Sequence, residues 1–203
     1  MREPVEIAVY SDYLCPWCYI ATIRLRRIKE EYGDSVAILW RSYPLRHGTT
    51  RAGTFQHSNQ GRLRAAAEEK SLVFNLWPED RAMPASSFPA LEAAKCAQLQ
   101  GAEPFERLHL LLMQAYFADC LDISQRDVLV ALAEKAGLDL ERFCLALDDG
   151  SHREKILTEY RECQEKYPGW GVPTAVCGGD IVLAGAVPVE IYRRAISAAS
   201  RVA

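Results

Sequence analysis

The feature that most constrains this chain is the pair Cys15 and Cys18, which stand with two residues between them where a strand pattern gives way to a helix pattern. Apolar residues alternate with other residues over 5–10, and this period of two predicts a strand. Apolar residues then recur at helical spacing as far as Gly33, which predicts the end of a helix. The β-branched and aromatic residues of 36–43 predict a second strand. The two cysteines therefore begin the helix of a predicted strand–helix–strand unit.

This placement suits thiol chemistry. A helix N-terminus presents unsatisfied N–H donors and the positive end of the helix dipole, and both favour a thiolate. Pro16 suits the first position of such a helix. Cys15 lies at the helix start and is better placed for solvent access than Cys18, which lies one turn further in. We therefore predict that Cys15 is the nucleophile and that Cys18 is the resolving thiol, which attacks the mixed disulfide and releases the substrate.

A structural zinc site is the main alternative for these two cysteines. Structural zinc usually takes four Cys or His ligands, commonly as two close pairs. The sequence has no second Cys-x-x-Cys, and its histidines show no ligand spacing. We therefore favour dithiol chemistry with no metal and no organic cofactor, and we expect the remaining cysteines to be dispensable for exchange. These are Cys96, Cys120, Cys144, Cys163 and Cys177.

Composition and charge exclude several classes of protein. The 203 residues carry a net charge of −3, with 49% hydrophobic and 25% charged residues, which is ordinary for a globular protein and unlike a basic nucleic-acid-binding protein. No apolar run reaches ~20 residues, the length of a membrane-spanning helix. Residues 1–4 lead directly into the first predicted strand and not into the apolar core of a secretory signal. We therefore predict a cytoplasmic protein whose cysteines are mostly free thiols.

The basic side chains of the first predicted helix are expected to form a solvated face, which can add positive potential near the cysteines. They are Arg24, Arg26, Arg27 and Lys29.

The middle of the chain has helical patterns. Residues 44–60 read as a loop, and residues 62–150 contain helices and no convincing strand. Ser124 and Asp127 stand in capping-box spacing before an apolar run, and Asp139 is placed to cap a further helix.

The last part of the chain returns to strands. Residues 170–177 predict a turn that leads into a strand, and the glycines at 178–179 predict a hairpin turn. Residues 181–183 then predict the returning strand, and Pro188 begins a last helix. The two ends of the chain are therefore α/β, and the middle is helical.

Four motifs spread over nearly the whole chain together resemble one known family. They are Asp12-x-x-Cys15-Pro16-Trp17-Cys18-Tyr19, Trp40-Arg41-Ser42-Tyr43-Pro44-Leu45, Gly171-Val172-Pro173-Thr174 and Ala184-Gly185-Ala186. The chain resembles the thioredoxin superfamily, in particular its DsbA-like branch and the FrnE-like cytoplasmic subgroup. The resemblance implies an α/β protein: a thioredoxin fold with a large all-helical insertion. It also implies a discontinuous thioredoxin-like domain, residues 1–50 and 150–203, with residues 60–149 as the insertion.

The resemblance also implies where substrate binds. It places a cis peptide bond before Pro173, beside Cys15, where Val172 pairs with an extended substrate. The candidate substrate-binding residues are Pro16, Trp17, Trp170, Val172 and Pro173.

Three of the candidate residues have a structural alternative. Trp17 covers the disulfide or contacts substrate, or else packs at the helix start. Trp170 lines the groove that binds substrate beside Pro173, or it has no role in substrate binding. Asp12 is a candidate proton shuttle to the buried thiol, and its alternative role is to cap the turn.

The function that these features favour is thiol–disulfide oxidoreduction through a Cys-Pro-Trp-Cys dithiol, with a protein or a low-molecular-weight thiol such as glutathione as substrate. One alternative is a glutathione-dependent isomerase or transferase. The family that this chain resembles includes relatives of the 2-hydroxychromene-2-carboxylate isomerase and kappa-class glutathione transferase types. Those relatives have serine at the nucleophile position, whereas this chain has Cys15 and Cys18. Another alternative is a non-catalytic binding module in which the cysteines form a redox-sensitive clasp. No nucleic acid or membrane partner is implied, and the oligomeric state, a dimer included, is left open.

Overall fold

A computed structural model describes residues 3–48 and 55–201 of the chain. Its elements in chain order are β1 (Val5–Ser11), α1 (Pro16–Tyr32), a 3-10 turn (Gly33–Ser35), β2 (Val36–Ser42), α2 (Phe55–Glu68), α3 (Phe88–Gln98), α4 (Ala102–Phe117), α5 (Arg126–Lys135), α6 (Leu140–Asp148), α7 (His152–Lys166), β3 (Thr174–Cys177), β4 (Ile181–Ala184) and α8 (Val189–Ala199).

The chain divides into two compact units. One unit consists of Met1–Tyr43 and Glu159–Ala203, and the other consists of Pro44–Thr158. The boundary at the C-terminal side therefore falls within α7. No helix in the described ranges is long and apolar enough to cross a membrane.

The strands of the first unit form one sheet in the order β2-β1-β3-β4. β1 and β2 are parallel, with Ser11 opposite Ser42 at their last register position. β3 is antiparallel to both β1 and β4. The predicted strand–helix–strand unit is confirmed, and Gly33 ends α1 with a φ of +54°, a conformation that favours glycine. The predicted hairpin turn at 178–179 also lies between β3 and β4.

The two faces of β1 are both buried. Ile7 and Val9 are fully buried on the face that they share with Ser11. On the other face, Tyr10 forms a buried cluster with Cys163 of α7 and with β3. Because β1 has neighbours on both edges and both faces, its last residue and the turn that follows it have a defined position.

The second unit is helical, as the sequence predicts, but two local expectations are wrong. α2 begins at Phe55, inside the predicted loop, while residues 49–54 of that loop lie outside the described ranges. α5 begins after Gln125, so the capping box does not form. The Ser124 hydroxyl instead donates to the Asp122 carboxylate at 2.6 Å, a local bond that competes with a cap. Asp139 caps α6 as predicted and accepts from the Arg142 N–H at 3.1 Å.

A buried arginine that no sequence pattern indicated lies in this unit. Arg62 of α2 is 1% exposed. Its Nη1 donates to the carbonyl oxygens of Asn75 and Phe117 at 2.9 and 3.0 Å, and its Nη2 donates to that of Tyr116 at 3.0 Å. The guanidinium also lies over the rings of Tyr116 and Trp77. Tyr116 and Phe117 are the last residues of α4, so Arg62 caps the C-terminus of that helix.

Candidate functional site

The turn between β1 and α1 holds the first cysteine at the start of the helix. Asp12 is fully buried, and its Oδ1 accepts a hydrogen bond from the Leu14 N–H at 2.6 Å. The Asp12 carbonyl accepts from the Cys15 N–H at 3.2 Å. A carboxylate that bonds the backbone two residues further on is a turn-forming device. The Asp12 side chain therefore has the position of a turn cap.

Cys15 is the N-cap residue of α1, with extended backbone angles of φ −95° and ψ 115°. Its side chain is 5% exposed, and its thiol donates to the Val172 carbonyl oxygen at 3.6 Å. The Cys15 carbonyl accepts the Cys18 N–H at 3.1 Å, which closes the first turn of the helix. Both cysteines are free thiols and are not bonded to each other.

Cys18 differs from Cys15 in its surroundings. Its side chain is fully buried. Burial, and next the neighbouring Cys15 sulfur, raise the pKa of the Cys18 thiol well above its ordinary value. The Ser11 hydroxyl and the Asp12 backbone N–H face the sulfur and lower that pKa in part. Cys18 is therefore a protonated thiol at neutral pH.

The loop before β3 contacts the first cysteine. The Val172–Pro173 peptide bond is cis, and Pro173 is buried. The Thr174 hydroxyl donates to the Gly171 carbonyl at 2.7 Å, across the cis bond. Gly171 has a φ of +67°, a conformation that favours glycine. In this loop the Val172 carbonyl accepts from the Cys15 thiol, 157 positions away in the sequence.

Two tryptophans and a proline complete the residues predicted to meet substrate. Pro16 and Trp17 are half-buried in the first turn of α1. Trp170 is 49% exposed and stands three residues before Pro173. The indole of Trp170 is therefore accessible to a molecule that approaches this loop.

Two buried polar groups of α1 and α8 were missed by the sequence analysis. Arg24 is 6% exposed, and its Nη1 donates to the Ala186 carbonyl at 2.6 Å. The expected solvated position of Arg24 is therefore wrong. Arg24 is three residues after Ala21, on the apolar stripe of α1, and that spacing was the available signal.

Tyr192 of α8 is the second missed group. It is fully buried, and its hydroxyl has no hydrogen-bond partner within the described residues. Burial raises the pKa of Tyr192, which also interacts electrostatically with Arg24 and Cys18. α8, which carries Tyr192, packs against α1, which carries Cys18.

The other cysteines and the acidic groups do not assemble a second centre in the described ranges. No group of three or more His, Cys, Asp or Glu side chains there is placed to hold a metal ion. The remaining cysteines are all free thiols. Burial raises the pKa of Cys163 and of Cys177 to about 11 and that of Cys96 to about 12.

Comparison with known sequences identifies relatives over nearly the whole chain. A family model described as "DSBA-like thioredoxin domain" matches residues 6–197. The uncharacterized protein YwbO of Bacillus subtilis (strain 168) is 27% identical over 201 residues, which are 95% of this chain and 96% of that protein. The ClpXP adapter protein SpxH of Halalkalibacterium halodurans is 27% identical over 214 residues, which are 94% of this chain and 66% of that protein.

Solved structures show the same fold. The cytosolic disulfide reductase DsbM from Pseudomonas aeruginosa superposes with a TM-score of 0.80 at 21% identity, covering 98% of this chain and 100% of that one. A structure of DsbM with GSH superposes with a TM-score of 0.76 at 20% identity, covering 97% and 99% of the two chains. At these identities the likeness is one of fold.

Proposed function

Because this chain belongs to the family of DSBA-like thioredoxin domains, we propose that it is a thiol–disulfide oxidoreductase that exchanges disulfides through Cys15 and Cys18. The predicted resemblance to the DsbA-like branch and the predicted fold class are confirmed by the family model and by the fold of the structural relatives. The FrnE-like subgroup, the substrate and the residue roles are proposals.

The observation that carries the proposal is the difference between the two thiols. Cys15 is the N-cap residue of α1, and its thiol contacts the Val172 carbonyl in a loop that also carries the half-exposed Trp170. Cys18 is fully buried behind it, with a raised pKa. In this proposal the Cys15 sulfur meets substrate, and the Cys18 sulfur meets the Cys15 sulfur. This is the arrangement that a nucleophile and a resolving thiol require.

The reaction then has two steps. The Cys15 thiolate attacks one sulfur of a substrate disulfide, and that bond breaks with its electron pair on the other substrate sulfur. Cys18 loses its proton and attacks the Cys15 sulfur. The mixed disulfide then breaks with its electron pair on the substrate sulfur that Cys15 had attacked. The chain ends with a Cys15–Cys18 disulfide, and two electrons have passed to the substrate. The reverse sequence oxidises a substrate dithiol.

The surrounding residues have supporting roles in this proposal. Val172 and Pro173 dock an extended substrate beside Cys15, since a backbone carbonyl next to the nucleophile can pair with an added strand. Pro16, Trp17 and Trp170 supply apolar contact area. No metal or organic cofactor takes part.

The proposed substrates are disulfides or thiols of proteins and of small molecules such as glutathione, and the proposed location is the cytoplasm. Both points are supported by the relative described as a cytosolic disulfide reductase, which has also been solved with GSH. The free thiols of the cysteines outside the motif agree with a reducing compartment.

A second candidate function is a non-catalytic binding module. It is favoured by the relative described as a ClpXP adapter protein, of which this chain spans 66%. In that case the dithiol changes the affinity for a bound protein and does not turn over. The glutathione-dependent isomerase alternative has no comparable support, because Cys15 stands at the nucleophile position, where its known relatives have serine, and Cys18 is present as well.

Trapping of mixed disulfides tests the proposal. We expect Cys18→Ser to accumulate a mixed disulfide with oxidised glutathione, because no thiol remains to release it. Cys15→Ser should accumulate none, and Cys144→Ser, at a half-buried cysteine of α6, should turn over like the unmodified chain. Mass spectrometry after an acid quench detects the mixed-disulfide adduct. Insulin reduction with and without glutathione measures turnover.

Two results would refute the proposal. Equal trapping by the Cys15→Ser and Cys18→Ser variants would contradict the assigned roles. Absence of turnover with every thiol, in a folded chain, would favour the binding module.

A further inference from the structure

The segment Ala184-Gly185-Ala186, one of the sequence motifs, is hydrogen-bonded to the loop that precedes β3. The Gly185 N–H donates to the Pro173 carbonyl at 2.8 Å, one step beyond the register pair that ends the β3–β4 ladder on that side. The Val187 N–H donates to the Gly185 carbonyl at 3.0 Å, so the chain makes a three-residue turn around Ala186. The segment therefore contacts the loop on one side and turns away from it on the other.

Arg24 of α1 is bonded to the same turn. Its side chain is 6% exposed, and its Nη1 donates to the Ala186 carbonyl at 2.6 Å. Burial of a guanidinium costs free energy unless its donors are paired, and its planar fork gives each bond a defined direction. Two successive bonds thus connect α1 to the loop before β3, from Arg24 to Ala186 and from Gly185 to Pro173. We refer to Arg24, Gly185 and Ala186 as the brace.

The carbonyls of residues 171–173 in this loop each accept a hydrogen bond. The first accepts from the Thr174 hydroxyl at 2.7 Å, and the second accepts from the Cys15 thiol at 3.6 Å. The third accepts from the Gly185 N–H of the brace. The bond from Cys15 is lost when the thiol becomes a thiolate, because a thiolate has no proton to donate, and it is also absent in a mixed disulfide. During the reaction the position of the loop therefore depends on other contacts.

Among those contacts the brace is the one that fixes the direction of the loop backbone relative to α1. The bond from the Thr174 hydroxyl is local, and pairing of β3 with β1 begins at Thr174, one residue after Pro173. The Val172 side chain packs against the buried cluster around Tyr10, but apolar packing is not directional. A hydrogen bond is directional, so the brace determines where the neighbouring carbonyl points.

We propose that Arg24 is a positioning residue for dithiol exchange, which acts through the brace to keep the Val172 carbonyl beside Cys15 while an extended substrate docks. This inference rests on the proposed exchange function. Bond making and bond breaking remain with the sulfurs, and Arg24 affects only the loop with which the substrate pairs. Loss of the brace should therefore slow the reaction with substrates that pair with the loop and spare small disulfides that do not.

The test compares two disulfides in the reduced full chain with Cys18→Ser, in which no resolution follows the attack by Cys15. One is 5,5′-dithiobis(2-nitrobenzoate), and the other is an extended peptide whose single cysteine forms a mixed disulfide with 2-nitro-5-thiobenzoate. In each case the Cys15 thiolate forms a new S–S bond and the old one breaks, with its electron pair on the coloured 2-nitro-5-thiobenzoate thiolate. Stopped-flow absorbance measures both rates, and a chain that also carries Cys15→Ser gives the background from the other cysteines.

The ratio of the two rate constants is the quantity that decides. A change in the thiolate fraction of Cys15 alters both rates equally and cancels in the ratio. We expect Arg24→Met to slow the peptide reaction by about tenfold and to leave the small disulfide within about twofold. Arg24→Lys keeps a donor without the fork and should give an intermediate ratio. Arg27→Met, at an exposed residue of the same helix, is the matched control and should change neither rate.

A second pair of variants tests the brace without removing a charge. Gly185→Ala strains a backbone with a φ of +77°, and Gly179→Ala strains one with a φ of +92° in the turn between β3 and β4. At both positions an added Cβ meets no atom within 4 Å among the described residues. The two substitutions are thus matched in strain and space, but of the two only Gly185 bonds to the Pro173 carbonyl. We expect Gly185→Ala to slow the peptide reaction selectively and Gly179→Ala to leave the ratio unchanged.

Far-ultraviolet circular dichroism first establishes that each variant is folded. The inference is overturned if Arg24→Met and Arg27→Met react with the peptide at the same rate, or if Arg24→Met slows both disulfides equally. If Arg24→Met does not fold, equal peptide rates for Gly185→Ala and Gly179→Ala overturn it. Absence of any reaction of Cys15 with either disulfide, in the chain with all other residues unmodified, would instead refute the proposed function, and this inference with it.

Discussion

Replacement of Arg62 by methionine removes a buried charge that caps a helix. The guanidinium donates to the Asn75, Tyr116 and Phe117 carbonyls at 2.9–3.0 Å. Methionine keeps much of the apolar volume of the side chain. The variant therefore reports mainly the lost hydrogen bonds and not a large cavity.

The three carbonyls differ in how many hydrogen bonds remain to them when Arg62 is replaced. The Phe117 carbonyl keeps the Asn75 N–H at 2.9 Å. The Tyr116 carbonyl has no other protein donor within the described residues, because it lies in the last turn of α4, where intrahelical partners are absent. Each hydrogen bond to a charged group contributes about 1.5–3 kcal/mol, and the buried carbonyl left unpaired adds to the loss. We expect Arg62→Met to lower the free energy of unfolding by about 3–5 kcal/mol.

Urea unfolding followed by far-ultraviolet circular dichroism measures this change. Arg62→Lys should lose an intermediate amount, since one ammonium cannot reach all three carbonyls with the same geometry. Arg64→Met is the matched control, because Arg64 is an exposed residue of the same helix, and it should stay within about 0.5 kcal/mol of the unmodified chain. A loss for Arg62→Met of less than about 1 kcal/mol would refute the reasoning, since it would mean that water replaces the guanidinium at little cost.

Two further predictions concern the buried cysteines outside the motif and Asp12. Burial raises the pKa of Cys163 and Cys177 to about 11 and that of Cys96 to about 12, from an ordinary value of 9.0. Each raised pKa contributes stability that is complete below about pH 9 and is lost as the pH rises toward the folded-state pKa, so the free energy of unfolding should fall by about 1.4 kcal/mol per pH unit for each such thiol. Urea midpoints that stay constant above pH 9 would contradict this. Asp12→Asn should keep dithiol exchange, because an amide oxygen can still accept the Leu14 N–H, whereas Asp12→Ala should cost about 1 kcal/mol of stability. Loss of exchange in a folded Asp12→Asn chain, measured by insulin reduction, would assign Asp12 the proton-shuttle role instead.

Local patterns in the sequence were sufficient to predict β1 and α1, the strand and helix that flank the candidate site. The alternation over 5–10, Pro16 at the helix start and Gly33 at its end are signals within single turns or single strands, and the structure has β1 and α1 at those positions. These signals act over a few residues and do not depend on the rest of the chain. The helical middle was likewise recognisable from its periodicity, although the start of α2 was not.

The surroundings of the cysteines depended on tertiary structure. Contact between Cys15 and the Val172 carbonyl joins positions 157 residues apart, and no local period encodes such a contact. Arg24 carries a charge that predicts solvent exposure, yet the packing of α8 on α1 buries it. Ser11 is an ordinary strand end in the sequence. Its burial, to 5% exposed, is decided by the packing around the end of β1. The sequence by itself thus determined which residues are candidates for the reaction, since that is a matter of residue type and local backbone. Burial of Cys18 and the contact of Cys15 with the Val172 carbonyl were decided by the tertiary structure, since these depend on parts of the chain that meet only when it is folded.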